Sequence, residues 1–180
     1  ELLLSDACIW EFGEVDQFDQ PLEYLGLRGI CYVDLEVETA KRDVHSGIGG
    51  STIPNAAWRL VWALSTLKSS DEKINLPGFY DDVVPPSQQD VEYMAALPDS
   101  TEDYKKRFGI NNFLNGISNG VDLQIAEAFL PTCTICGLSS GYHGPGSKTI
   151  VPAKASVKID FRLVPNQNPE KVMQQLRQHL

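Results

Sequence analysis

Few residues of this sequence are placed to do chemistry. His45 lies in Lys41-Arg42-Asp43-Val44-His45-Ser46-Gly47, with Gly49-Gly50 just beyond, so an imidazole follows Asp43 on a glycine-flanked loop at a strand end. There it can be carried towards a ligand, as donor or as proton shuttle, although a loop histidine read by spacing alone is more often solvated surface. Arg162 falls on the polar face of a strand, near its end, where a guanidinium can clamp a carboxylate with two parallel hydrogen bonds. Its competing reading is a surface ion pair with Asp160 or a cross-strand glutamate, which contributes little.

Other candidates fail on their own chemistry. In Gly141-Tyr142-His143-Gly144-Pro145-Gly146-Ser147-Lys148-Thr149, Ser147 stands where a phosphate loop needs lysine, and a strand follows where it needs a helix. Cys133 and Cys136 have the spacing of a metal knuckle but lack a second ligand pair, so they read as strand cysteines of the core. The three histidines, His45, His143 and His179, form none of the short-range pairings of a catalytic zinc site. A Gly-x-Ser-x-Gly elbow for a serine nucleophile is also missing.

Alternation of apolar and polar residues predicts strands over Ile30–Thr39 and Ala155–Leu163, and Thr132–Leu138 reads as a third. A helix capped by Ser51 or Thr52, with Pro54 in its first turn, is predicted to run to about Leu67. Ala56, Ala57, Leu60, Val61, Ala63, Leu64 and Leu67 make one broad apolar stripe on it, and Trp58 and Trp62 lie nearly opposite. A single sheet covers only one of these faces, so the tryptophans call for the intervening segment or a second subunit. Residues 68–121 read as an insertion of loops and short helices, and a brief helical pattern ends at Pro131. Asn168-Pro169-Glu170 then opens a final helix with Val172, Met173, Leu176 and Leu180 on its apolar side.

The order strand, helix, insertion, strand, strand, helix predicts an α+β fold. It is a ferredoxin-like antiparallel four-stranded sheet with two helices on one face, cut before its last strand. Ahead of it, Leu2–Leu4 ending at Ser5-Asp6 reads as a strand buried on both faces, and the acidic stretch from Gly13 reads as a connector. Residues 1–28 are thus the end of another domain plus a linker, and 29–180 the domain proper.

The 180 residues suffice for one ordinary core. With 24 acidic against 15 basic side chains, a net charge of −9 argues against nucleic acid and anionic membranes as partners. No apolar run reaches the roughly 20 residues of a membrane span. Four cysteines without a glycosylation sequon fit a reducing, cytoplasmic setting.

Taken in order, Asp43-Val44-His45-Ser46-Gly47, Gly144-Pro145-Gly146-Ser147-Lys148-Thr149-Ile150-Val151-Pro152 and Asp160-Phe161-Arg162-Leu163-Val164-Pro165 resemble one known family. They are similar to the lid, or dimerisation, domain of the two-zinc aminoacyl hydrolases, which include carnosine dipeptidase, acetylornithine deacetylase and succinyl-diaminopimelate desuccinylase. The dipeptidase-like branch resembles the chain most, through Leu4-Ser5-Asp6 and Gly78-Phe79-Tyr80-Asp81-Asp82-Val83 as well.

The resemblance implies a homodimer pairing through this lid and a dinuclear zinc centre in a separate catalytic domain, hydrolysing dipeptides or N-acyl amino acids. Asp6 then matches a metal ligand, and His45 the histidine that enters the partner subunit's active site to support the oxyanion. Thr149 and Arg162 match the residues that hold the substrate's carboxylate end. The family's other metal ligands are absent from these 180 residues, so the chain alone is expected to bind little zinc, to be inactive, and still to dimerise. The alternatives are a non-catalytic pairing module and a ferredoxin-like carboxylate sensor using His45 with Arg162.

Overall fold

The computed structural model describes residues 6, 13, 15, 16, 18–22 and 26–180. The predicted Leu2–Leu4 strand lies outside the described residues. The first strand, β1 (Gly29–Glu38), forms where the alternation predicts it, with Cys31 and Val33 buried and Tyr32, Asp34 and Glu36 exposed. A second long strand, β5 (Lys154–Leu163), buries Ala155, Val157, Ile159, Phe161 and Leu163 on the same side. It runs antiparallel to β1, with Val33 opposite Ile159. The remaining long strand, β3 (Thr132–Ser140), pairs antiparallel with the other edge of β5, in the order β1-β5-β3.

The α+β class and the antiparallel sheet agree with the sequence pattern, but this sheet has three strands where a ferredoxin-like arrangement has four. Two further strands, β2 (Val44–His45), in a segment expected to be a loop, and β4 (Ile150–Val151), form a separate antiparallel pair. At two residues each they carry no periodicity to read.

Between β2 and the first long helix lies the single turn α1 (Ser46–Gly49). The long helix, α2 (Ala56–Leu67), starts later than predicted. Its cap is Asn55, whose side chain accepts from the Trp58 amide, rather than Ser51 or Thr52. Those residues are spent in the turn after α1, where Thr52 and Ile53 amides both donate to the Gly49 carbonyl. The start of α2 is also pinned by a tertiary bond, from the Ala56 amide to the Pro152 carbonyl at 3.1 Å.

Helix α2 lays Ala56, Leu60 and Leu67 on β1 and β5. The last helix, α6 (Pro169–His179), capped by Asn168 as expected, adds Val172 and Leu176 over β1. These join the sheet's inner face in one core, with Phe161, Leu60, Leu67, Ile74, Ile159, Leu163 and Val157 its largest fully buried side chains. Burying each such residue contributes about 1.5–3 kcal/mol.

The 68–121 stretch is a set of loops and short helices, as its composition suggests, including α3 (Gln88–Ala95) and α4 (Thr101–Phe108). A further helix, α5 (Gly120–Phe129), packs on α3 and leads into β3. The insertion is fastened to the core by Phe79, which is 2% exposed and packs on Phe161 at 6.0 Å between ring centroids. The turn that delivers Phe79 needs glycine. Gly78 has φ of +75°, and a Cβ there would lie 3.0 Å from an Asp81 carboxylate oxygen.

Two apolar surfaces stay uncovered. Trp58 and Trp62 stack at 5.9 Å on the outer side of α2 and are 57% and 52% exposed, so the insertion does not shield them. On β3, Ile135 and Leu138 pair with the buried Ile159 and Val157 yet are exposed themselves, because the helices stand over β1 and β5.

Candidate functional site

Asp43, Val44 and His45 are held by backbone pairing at the end where β1 leaves the sheet and β5 enters it. Val44 lies opposite Val151 and His45 opposite Ile150. The Asp43 carboxylate accepts from the Ala153 amide at 2.9 Å, and the Thr39 amide donates to the Ala153 carbonyl at 2.9 Å. Asp43 therefore staples the two strand ends together.

His45 caps α1. The Gly47 amide donates to its Nδ1 at 3.0 Å, and its Nε2 lies 3.1 Å from Oγ1 of Thr149. The Ser46 amide donates to the Thr149 carbonyl at 3.0 Å, so backbone and side chain fix the same neighbour. Both His45 and Thr149 are exposed. The structure thus brings together two of the residues singled out in the sequence, on a rim where an imidazole N–H and a hydroxyl can face an incoming oxygen.

Arg162 is elsewhere. A strand rising about 3.4 Å per residue places it about 27 Å along β5 from Lys154, at the opposite end of the sheet. Its Nε stands 3.8 Å from Asp160, too far for a firm hydrogen bond, and its side chain is 48% exposed. It is therefore available to a ligand rather than locked in an ion pair.

Sequence reasoning missed Arg28 beside it. The Arg28 guanidinium donates to the Leu130 carbonyl, at the junction of α5 and β3. Burial first, then the charge of Arg162, draws it below the usual arginine range, while Asp160 and Glu127 act the other way. Arg28, Asp160 and Arg162 make one charged group on the outer face of the sheet, visible only once β1 and β5 are in register.

The described cysteines are chemically quiet. Burial pushes the half-buried Cys133 thiol up to about 11. Cys136 is exposed at a bulge of β3 rather than part of the core, and its thiol is raised by desolvation and by its bond to Asp160 at 3.4 Å. Neither offers a thiolate at neutral pH.

Asp6 is exposed, and among the described residues nothing gathers three metal-ligating side chains. Among the described residues no helix is long and apolar enough to cross a membrane.

Comparison with known proteins agrees with this architecture. The family model described as the peptidase dimerisation domain, of the M20 type, matches residues 25–180. Human Beta-Ala-His dipeptidase is 30% identical over 161 residues, covering 89% of this chain and 31% of that protein. Cys-Gly metallodipeptidase dug1 of Schizosaccharomyces pombe is likewise 30% identical, covering 89% of this chain and 33% of its own length. The chain therefore spans about a third of the curated relatives it matches.

Among solved structures, the M20 family metallo-carboxypeptidase Sso-CP2 from Sulfolobus solfataricus superposes with a TM-score of 0.84 at 35% identity, covering 91% of this chain and 42% of that one. Human carnosine dipeptidase 1 follows with 0.78 at 30% identity, covering 84% and 32%. With its sheet, helices and insertion shared with metallopeptidases at this level of identity, the chain belongs to the M20 peptidase dimerisation-domain family.

Proposed function

We propose that this chain is the dimerisation and substrate-covering lid of a metal-dependent hydrolase that cleaves the amide bond of dipeptides or N-acyl amino acids. Residues 29–180 form the lid, with 68–121 inserted, and 1–28 are the end of a catalytic-domain strand plus a connector. A fourth strand from the rest of the protein completes the sheet. Two zinc ions are held mainly by residues outside this chain, with Asp6 as one ligand, in a cytoplasmic enzyme.

The observation that carries the reading is the split between two clusters. His45 and Thr149 share one rim beyond the start of β5, and Arg162 stands near the other end of that strand, about 27 Å from Lys154. A single dipeptide cannot touch both in one chain. A homodimer resolves this if His45 and Thr149 serve the partner's site while Arg162 serves its own. The same split disfavours the sensor alternative, which needs His45 and Arg162 on one ligand. Trp58 and Trp62, with Ile135 and Leu138, supply apolar surface of the kind a twofold interface buries.

In this reading the His45 Nε2–H donates to the oxygen that gains charge as the amide carbon becomes tetrahedral, and the Arg162 guanidinium and Thr149 hydroxyl grip the substrate's carboxylate. Zinc, when bound, polarises the carbonyl and supplies hydroxide.

Subunit mixing of the full-length protein tests this. His45→Ala and Asp6→Ala proteins, each inactive, should regain about a quarter of wild-type activity when subunits are exchanged, because random reassortment gives hybrid dimers with one intact site. No recovery in verified hybrids would overturn the action in trans. On the 180-residue chain, sedimentation equilibrium should show a dimer that dissociates when Trp58 and Trp62 are both changed to Ser.

A further inference from the structure

Both ring nitrogens of His45 are engaged within the chain. Because Nδ1 accepts from the Gly47 amide at 3.0 Å, the proton of the neutral ring sits on Nε2. Nε2–H then donates to Oγ1 of Thr149 at 3.1 Å. Thr149 is fixed beside the ring by the Ser46 amide on its carbonyl and by the register of His45 opposite Ile150. The absence of a side chain at Gly47 leaves room for the ring on its Nδ1 side: a Cβ there would lie 3.1 Å from Cε1 and Nδ1. The ring is thus clamped at both nitrogens although it is exposed.

We propose that Thr149 is a positioning residue, whose hydroxyl holds the His45 imidazole oriented with its Nε2–H towards the site before substrate arrives. This deepens the lid reading and rests on it for the identity of the substrate, while the state of the ring rests on the chain's own geometry. Accepting from the ring leaves the Thr149 O–H free to donate. The pair therefore offers an incoming group the free Thr149 O–H and a Nε2–H that it must share with Oγ1, so that group is an oxygen acceptor, a carboxylate or an oxyanion. A threonine that merely gripped a carboxylate would change substrate affinity. A threonine that aims the histidine changes the rate of the chemical step as well.

The test begins with the ring itself. In the 180-residue chain labelled with ¹⁵N and ¹³C, long-range ¹H–¹⁵N spectra at pH 8 should show the His45 Nδ1 as an unprotonated acceptor and Nε2 as protonated, with His143 as the exposed reference. Thr149→Val should loosen the ring in ¹³C relaxation, and Thr149→Ser should restore it. A wild-type ring protonated on Nδ1, or a ring equally ordered in the valine variant, overturns the proposal whatever the protein hydrolyses.

In the full-length enzyme, Thr149→Val should lower kcat about tenfold, and add little to the loss already caused by His45→Ala. A valine variant that changes KM alone also overturns it.

Discussion

Nε2 of His45 lies 3.1 Å from Oγ1 of Thr149, although 104 residues separate them in the chain. What joins them is a sheet of two short strands, not a segment of long-range order. The contact depends on the few backbone bonds around β2 and β4, and on Asp43, which ties the start of β2 to the junction of β4 and β5 through the Ala153 amide. The most sensitive changes are therefore in the supports of the pair.

Changing Asp43 to Ala should cost about 1–2 kcal/mol, as a part-buried amide loses its carboxylate acceptor. Asp43→Asn, which keeps an acceptor oxygen, should lose less. Urea unfolding midpoints of the two variants measure the difference, and equal midpoints would remove Asp43 from the frame of the site.

Gly47→Ala should leave overall stability within about 0.5 kcal/mol, since the position is exposed and helical. Its new methyl group, 3.1 Å from Cε1 and Nδ1, pushes the His45 ring off Thr149. The variant should melt like wild type while the His45 ring signals move. Unmoved signals would contradict the clamp.

Phe161→Ala removes a ring that is fully buried between the sheet, α2 and the Phe79 anchor. The loss should be about 3–5 kcal/mol, read as a large drop in Tm. Because Phe79 packs on this ring, proteolysis within 80–120 should also speed up before global unfolding.

Alkaline pH should weaken the fold through its thiols. The Cys133 pKa is pushed from 9.0 up to about 11 by burial, and burial also raises Cys31. Folded protein then holds protons that the unfolded chain releases at lower pH. This contribution is fully present below pH 9 and is lost as pH rises from 9 towards 11. Urea midpoints at pH 8 and 10.5 should fall less in Cys133→Ala than in wild type.

Much of this fold is legible along the sequence, for identifiable reasons. β1 and β5 alternate over ten residues each, and α6 begins at Asn168-Pro169, so period and cap agree. The start of α2 is not legible, because Ser51, Thr52 and Asn55 can all cap, and the choice is made by the bond from Ala56 to Pro152. The exposure of Cys136 follows from a bulge between Ile135 and Gly137, which shifts the register of a strand that looks regular in one dimension. His45 is marked by its glycine-flanked loop and Thr149 only by resemblance to a family, but their mutual bond and their separation from Arg162 exist only once β5 lies between them. Arg28 carried no sequence signal, since its partners are a carbonyl of Leu130 and charges on β5.

The order β1-β5-β3 leaves two long strands with bare outer edges among the described residues. The bulge on β3 breaks the even row of amides and carbonyls that another strand would need there. β1 has ten residues, no bulge against β5 and no proline, so its edge is the open one. On its own, the domain carries an adhesive margin along β1, and its solubility depends on the exposed carboxylates of Asp34, Glu36 and Glu38 to repel a stray strand.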